Sequence, residues 1–452
     1  MILLSCIIIA SLIVILETKK SRLLRQHFNF WKELRRLHKK QKFPKANQEN
    51  GTFIGYHHKK EIYIPDNCKH CFVCGTTGSG KTIALSNFIK HATDKNFPLL
   101  LVDGKGDLGA GSLLEITKRF AVNQKLYIIN LSDPLHSDKY NPFRNASPTI
   151  CKDMLINLTE WSEEHYKLNT ERYLQKLVIL LQQAGIPLSL KTIIKYIPVE
   201  HFNKLSLELV KAEIITKQEH SFNIEISKAC GKIAESACAR FSTIAESELG
   251  ILFDENGIDI YTAIQEKAVI LFILNPLLYP EISPLMGKLI LIDAKKAVSK
   301  CFGSDLQRAF YIFDEINTYA STALIDLINK SRSANITSVL ATQSLSDLDF
   351  SCGEAFKEQV IENINNYIVL RQNSAVNAEH WANILGTRET IEVTYQIEQQ
   401  ARNTNTTGLG SARRVREFLY HPDDIKALKT GKGFFLSRDD NIHCSLSINK
   451  PF

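Results

Sequence analysis

Residues 75–82 read Gly-Thr-Thr-Gly-Ser-Gly-Lys-Thr, a full match to the pattern G-x-x-x-x-G-K-[ST]. It constrains the fold because it works only between a strand and a helix. A short apolar run, Cys71–Cys74, precedes it and a helical stretch, Ile83–His91, follows. Gly75, Gly78 and Gly80 let the backbone of Gly75, Thr76, Thr77, Gly78, Ser79 and Gly80 curl so that successive N–H groups aim at phosphate oxygens. The following helix adds the partial positive charge of its N-terminus. Lys81 is placed for the β- and γ-phosphates and Thr82 for Mg²⁺. The motif therefore predicts a nucleoside triphosphate site.

Such a site needs an acid at the end of a second buried strand, and Ala309-Phe-Tyr-Ile-Phe313-Asp314-Glu315 supplies two. Asp314 is expected to hold Mg²⁺ through water, and Glu315 to orient and deprotonate the attacking water. A Glu directly after the Asp points to hydrolysis. Another apolar run ends at Gln343 (Thr337-Ser-Val-Leu-Ala-Thr-Gln). That glutamine is a candidate for sensing the γ-phosphate or positioning the water, and a plain strand-end cap is the alternative.

Apolar runs at 70–74, 98–102, 125–130, 268–274, 309–313, 337–341 and 367–371 alternate with helical stretches. That rhythm predicts a parallel α/β sheet, covered on both faces where the runs are all apolar. Residues 148–249 break it, with Leu174, Leu177, Val178 and Leu181 at helical spacing and stop signals at Gly185 and Pro187. They read as an inserted all-α domain, which divides the nucleotide-binding domain into 51–147 and 250–452. The 233 residues between Lys81 and Asp314 are more than a compact core needs, and the insertion accounts for much of the excess. Near the end, 390–399 alternates as an edge strand or hairpin would, and 403–411 (NTNTTGLGS) reads as a polar loop.

Met1–Leu16 is uniformly apolar. At about 24 Å it is slightly short of a hydrocarbon core of about 30 Å. Positive charge follows the run, which argues for a membrane anchor over residues 1–17 with everything beyond it cytoplasmic. Residues 18–50 read as a basic, partly aromatic juxtamembrane segment ending in a linker, with a merely solvated charged helix as the alternative. Residues 17–45 carry a net +9 against +7 for the whole chain, which leaves −2 for the remainder. Bulk charge thus says nothing about nucleic-acid binding by the main body. Cys68, His70, Cys71 and Cys74 have metal-like spacing, but no second ligand pair accompanies them, and buried strand cysteines are the better reading. A cytoplasmic body implies no disulfide framework.

Several ordered stretches together resemble the type IV secretion coupling proteins, the TraD/TraG/TrwB-like motors of the FtsK–HerA group. They are the apolar N-terminus, GTTGSGKT, Asp103-Gly-Lys-Gly-Asp107, Tyr140-Asn-Pro-Phe143, FYIFDE, Ala341-Thr-Gln-Ser344, and REFLYHPDDIKAL from Arg416. The resemblance covers essentially the whole chain. It implies a RecA-like P-loop NTPase core with an inserted all-α domain and an N-terminal membrane helix. The protein would be an ATP- and Mg²⁺-dependent ATPase of the bacterial inner membrane, single-pass, with its catalytic domain in the cytoplasm. Six copies would form a ring at the mouth of a conjugation or secretion channel, passing DNA or a relaxase–DNA complex to the channel components. The family's arginine supplied by the adjacent subunit matches Arg332. Arg371 and Arg413, Arg414 and Arg416 are weaker candidates for nucleotide or channel contacts. Lys105 and Asp107 are expected near the nucleotide at a subunit interface, or in a tight turn without chemistry. Family members commonly carry two membrane helices, and longer ones a C-terminal extension; here one apolar run is present and the chain stops soon after the core. Two other functions are weighed: a nucleotide-gated docking receptor for secreted protein effectors, and an FtsK/HerA-type DNA translocase. A kinase or ABC-type ATPase is disfavoured, since no LSGGQ-like signature is present.

Overall fold

In a computed structural model the protein is described at residues 46–47, 49–66, 70–158, 161, 163–400 and 403–452. The anchor expected over 1–17 and the basic segment up to residue 45 lie outside the described residues. Among the described residues no helix is long and apolar enough to cross a membrane. The chain divides into two units, one comprising Pro44–Asn373 with Leu428–Phe452, the other including Ser374–Ala427.

The larger unit is built on one sheet. Its strands are β1 (Gly51–His57), β2 (Lys60–Pro65), β3 (Cys71–Cys74), β4 (Leu99–Asp103), β5 (Leu126–Asn130), β6 (Val269–Ile273), β7 (Ala309–Asp314), β8 (Ile336–Thr342) and β9 (Asn366–Val369). After the smaller unit's β10 (Thr387–Gln400) and β11 (Asn403–Phe418), β12 (Lys432–Ser437) and β13 (Ile442–Ile448) return to it. The order is β2-β1-β13-β12-β9-β3-β8-β7-β4-β6-β5. From β9 to β5 all pairings are parallel, and all seven apolar runs of the sequence are these seven strands. β3, β4, β6, β7, β8 and β9 are buried at every residue, which is why they carry no polar alternation. β5, at the edge, is only half covered.

Two features depart from the sequence reading. The parallel sheet continues into an antiparallel section, β12, β13, β1 and β2, that was not anticipated. Residues 403–411 are not a loop: they belong to β11, which pairs antiparallel with β10 in a separate two-stranded ribbon. Pairing along the ribbon supplies backbone hydrogen bonds that override the weak strand propensity of Asn, Thr and Gly.

Between β5 and β6 the helices are Pro148–Asn157, Glu164–Gln183, Leu190–Tyr196, Val199–Lys211, Lys217–Ala237 and Ala239–Glu246, then the short Ile260–Gln265. Four begin on side-chain caps, Ser147, Ser189, Thr216 and Asp259, with Thr216 in a reciprocal box with Glu219. Tyr173, Leu174, Leu177 and Leu181 are buried along one face of Glu164–Gln183, and Tyr173 stacks on Phe202 with centroids 4.8 Å apart. The outgoing and returning chains meet at the Tyr140–Phe143 stretch. There Tyr140 N–H donates to Leu252 O (2.7 Å) and Asn141 N–H to Ile258 O (2.9 Å). Beneath it Lys296, on the helix Ile282–Cys301, is buried against Asp259 (2.9 Å), Asp293 (2.8 Å) and the carbonyls of Pro142 (2.8 Å) and Arg144 (2.7 Å). Tyr140 OH donates to Asp293 (3.0 Å). A buried cation so fully surrounded fixes where the helical segment leaves and rejoins the sheet.

Candidate nucleotide site

The carboxyl ends of β3, β4, β7 and β8 converge on one cleft of about 400 Å³, where an open parallel sheet places its ligands. It is lined by Thr76, Thr77, Gly78, Gly80, Lys81, Thr82, Lys105, Asp314, Glu315, Gln343 and Thr430, with Ile83. The loop between β3 and the helix Lys81–Asp94 is tied down from both sides. Gly75 N–H donates to Thr342 O (3.2 Å) and Thr76 N–H to Arg371 O (3.0 Å). From the C-terminal segment, Gly431 N–H reaches Ser79 O (2.9 Å) and Thr430 Oγ1 donates to Gly78 O (2.8 Å). A Cβ at Gly75 would sit 2.5 Å from Leu370 Cβ, and Gly80 has φ +111°, so both positions need glycine. Gly80 caps the helix without a side-chain hydrogen bond, which leaves the first turn open to an anion.

Lys81 is buried; its Nζ donates to Gly75 O (2.9 Å) and pairs with Glu315 Oε1 (3.3 Å). Glu315 sits in the left-handed region (φ 46°), directly after β7. This strained placement for a non-glycine residue turns its carboxylate into the cleft. Gln343 bridges the two halves: Nε2 donates to Glu315 Oε1 (3.2 Å) and Oε1 accepts from Thr77 Oγ1 (3.3 Å). Asp314 is buried beside it, and burial first, then the nearby charges of Glu315 and Asp103, push its carboxyl up to about 7.

Asp103, which the sequence reading passed over for its neighbours, ends β4 in register with Asp314. It is buried and held up at about 6, chiefly by burial. Its signal was legible: Leu99–Asp103, like Phe310–Asp314, is an apolar strand that ends on an acid. Lys105 and Asp107 form an ion pair at 2.7 Å, which raises the lysine and lowers the acid. Arg332 does not line this cleft. Arg332 is exposed on the turn before β8, at the end of the strands opposite the P-loop. Arg413, in the smaller unit, pairs with Glu392 across the ribbon (2.7 Å). Arg371 lies beside the loop, its Nε buried without a hydrogen-bond partner.

Three oxygens near the cleft are buried and unpartnered: Thr76 Oγ1, Ser79 Oγ and Glu315 Oε2. Together with the glycine cradle and the hard oxygens of Thr82 and Asp314, they fit a nucleotide phosphate with a small divalent cation. At the strand start, His70 does not act as a ligand: Nε2 meets Ile328 O (2.7 Å) and Nδ1 meets Ser338 N–H (3.0 Å). Cys71 and Cys74 are buried in β3, and no metal-holding cluster occurs among the described residues.

The fold matches solved structures along most of its length. The bacterial conjugative coupling protein TrwBdeltaN70, unbound form, superposes with a TM-score of 0.64 at 16% identity, covering 90% of each chain. TrwB in complex with ADP and Mg²⁺ gives 0.60 at 15% identity, over 93% of this chain and 92% of that one. VirB4 of Thermoanaerobacter pseudethanolicus gives 0.55 at 12%, over 89% and 98%. At these identities the likeness is one of fold. Residues 62–449 match the family model of the type IV secretion-system coupling protein DNA-binding domain, and the chain belongs to that family.

Proposed function

We propose that this chain is a membrane-anchored ATPase that couples ATP hydrolysis to delivery of DNA, or a relaxase–DNA complex, into a type IV secretion or conjugation channel at the bacterial inner membrane. The observation that carries the enzymatic part is the Glu315 carboxylate. One oxygen is held by Lys81 and Gln343, and the other is buried, unpartnered and available for a water. In this reading the Gly75–Thr82 loop binds the phosphates through backbone N–H groups. Lys81 exchanges Glu315 for phosphate oxygen when nucleotide enters, which frees the carboxylate to act as base. Gln343 holds it in orientation. Thr82, and Asp314 through water, would hold Mg²⁺, which would neutralise charge on the phosphates. TrwB structures holding ADP with Mg²⁺ support this choice of ligands.

Arg332 cannot serve the cleft of its own chain from the opposite end of β8. Its role is proposed in trans, from the neighbouring subunit of a ring, taken as a hexamer from the family. The apolar residues 1–17 are the proposed anchor and 148–249 the proposed inserted domain. The test is ATP hydrolysis by the chain with and without single- and double-stranded DNA. Turnover should rise with DNA, and Glu315→Gln should lower it by about 10²–10⁴ while nucleotide binding persists. Nucleotide binding without turnover under any DNA condition would leave a docking receptor as the better description.

A further inference from the structure

One basic side chain in the cleft has no part in the mechanism above. Lys105 occupies the turn after β4 and lines the same cavity as Thr76, Lys81, Glu315 and Gln343. The turn itself is clamped. Asp103 Oδ1 accepts the N–H groups of Lys105 (2.9 Å) and Gly106 (3.1 Å), and Gly104 N–H donates to Asp314 O (3.2 Å). A Cβ at Gly104 would sit 2.7 Å from Asp314 O, and one at Gly106 2.2 Å from Leu274 O. Glycine on either side thus seats the turn against the ends of β7 and β6, and the backbone of Lys105 cannot drift. Its side chain can: it is 55% exposed and bound only to Asp107, whose Oδ1 also accepts Gly109 N–H (3.0 Å).

The charge balance of the cleft gives that freedom a use. Lys81 is already paired with Glu315 and has Asp314 beside it, so a polyphosphate entering the cleft competes with carboxylates for its one buried lysine. We propose that Lys105 is a second phosphate-binding cation, which reads the terminal phosphate of a nucleoside triphosphate, with Asp107 as its counter-ion in the empty cleft. The exchange is favourable because an exposed Lys–Asp pair contributes little, and a charge-assisted bond to phosphate inside a cleft is stronger. Lysine suits the task, being a point charge on a flexible stem. A diphosphate has no third phosphate to recruit it, so Lys105 sets the preference for the unhydrolysed nucleotide. This inference rests on the nucleotide-site reading above.

The experiment is a binding titration of the full chain with fluorescent ATPγS and fluorescent ADP, each with Mg²⁺. Lys105→Ala should weaken ATPγS about tenfold and leave ADP within about twofold. Lys105→Arg should keep most of the preference. Asp107→Asn, which removes the competing charge, should tighten ATPγS about threefold without altering ADP. Equal losses for both nucleotides in Lys105→Ala, or no loss for either, would overturn the proposal and leave a surface ion pair. Lys81→Ala keeps the two readings apart. If it abolishes binding that the unchanged chain shows, the nucleotide site stands whatever Lys105 does. If the unchanged chain binds neither nucleotide, both readings fall.

Discussion

His70 shows how a single buried side chain makes the core sensitive to pH. Its Nδ1 accepts the Ser338 N–H, so the proton sits on Nε2, which donates to Ile328 O. A second proton would point an N–H at an N–H. Burial, with the Arg332 charge adding to it, accordingly lowers the imidazole to about 4, against an ordinary value of 6.5. Below pH 6.5 the unfolded chain takes up a proton that the folded chain refuses. The stabilisation is therefore present above 6.5 and is lost as pH falls toward 4, on the order of 3 kcal/mol in all. Urea midpoints at several pH values between 7.5 and 4.5 check this. His70→Asn should be less stable than the unchanged chain at pH 7.5, and the gap should narrow as pH drops. Parallel curves for the two proteins would show that His70 is not the group responsible.

At the scale of elements, Gly287 sets two helix rules against each other. It lies within Ile282–Cys301, where glycine costs about 1 kcal/mol relative to alanine, so Gly287→Ala would ordinarily stabilise. Here an added Cβ would sit 2.2 Å from Tyr319 Cβ and 2.5 Å from its Cγ. Tyr319 is fully buried and its OH donates to Asp314 O (3.0 Å), so it has nowhere to retreat. Overpacking of about 1–3 kcal/mol should win, and Gly287→Ala should lower the urea midpoint; a raised midpoint would mean that the helix shifts freely.

The same scale shows what the sequence could disclose. Seven parallel strands were legible because burial on both faces forces unbroken apolar runs, and the P-loop pattern located the site among them. β1 and β2 were not, because residues such as Lys60, Glu61 and His57 interrupt them at the sheet's margin. The clamp of Thr430 and Gly431 on the P-loop was invisible for another reason. It joins groups about 350 residues apart, and no local pattern encodes such a contact.

For the whole molecule, the position of Arg332 makes a demand on assembly. The P-loop, Glu315 and Gln343 stand at the carboxyl ends of the parallel strands, and Arg332 stands exposed before the start of β8. If Arg332 completes a neighbour's cleft, every working site takes its base from one copy and its arginine from the next. Glu315→Gln and Arg332→Ala then damage opposite sides of the same interface. Each alone should be close to inactive, since an arginine supplied in trans is worth about 10³–10⁵ in rate. Mixed in equal amounts and allowed to exchange, the two dead proteins should regain activity. An interface that pairs the intact Glu315 of one variant with the intact Arg332 of the other arises in about a quarter of random contacts in a closed ring. Turnover should therefore climb to about a quarter of the unchanged protein's, at concentrations that favour assembly. Arg332 acting within its own chain, or only in packing, predicts that the mixture stays as inactive as its parts.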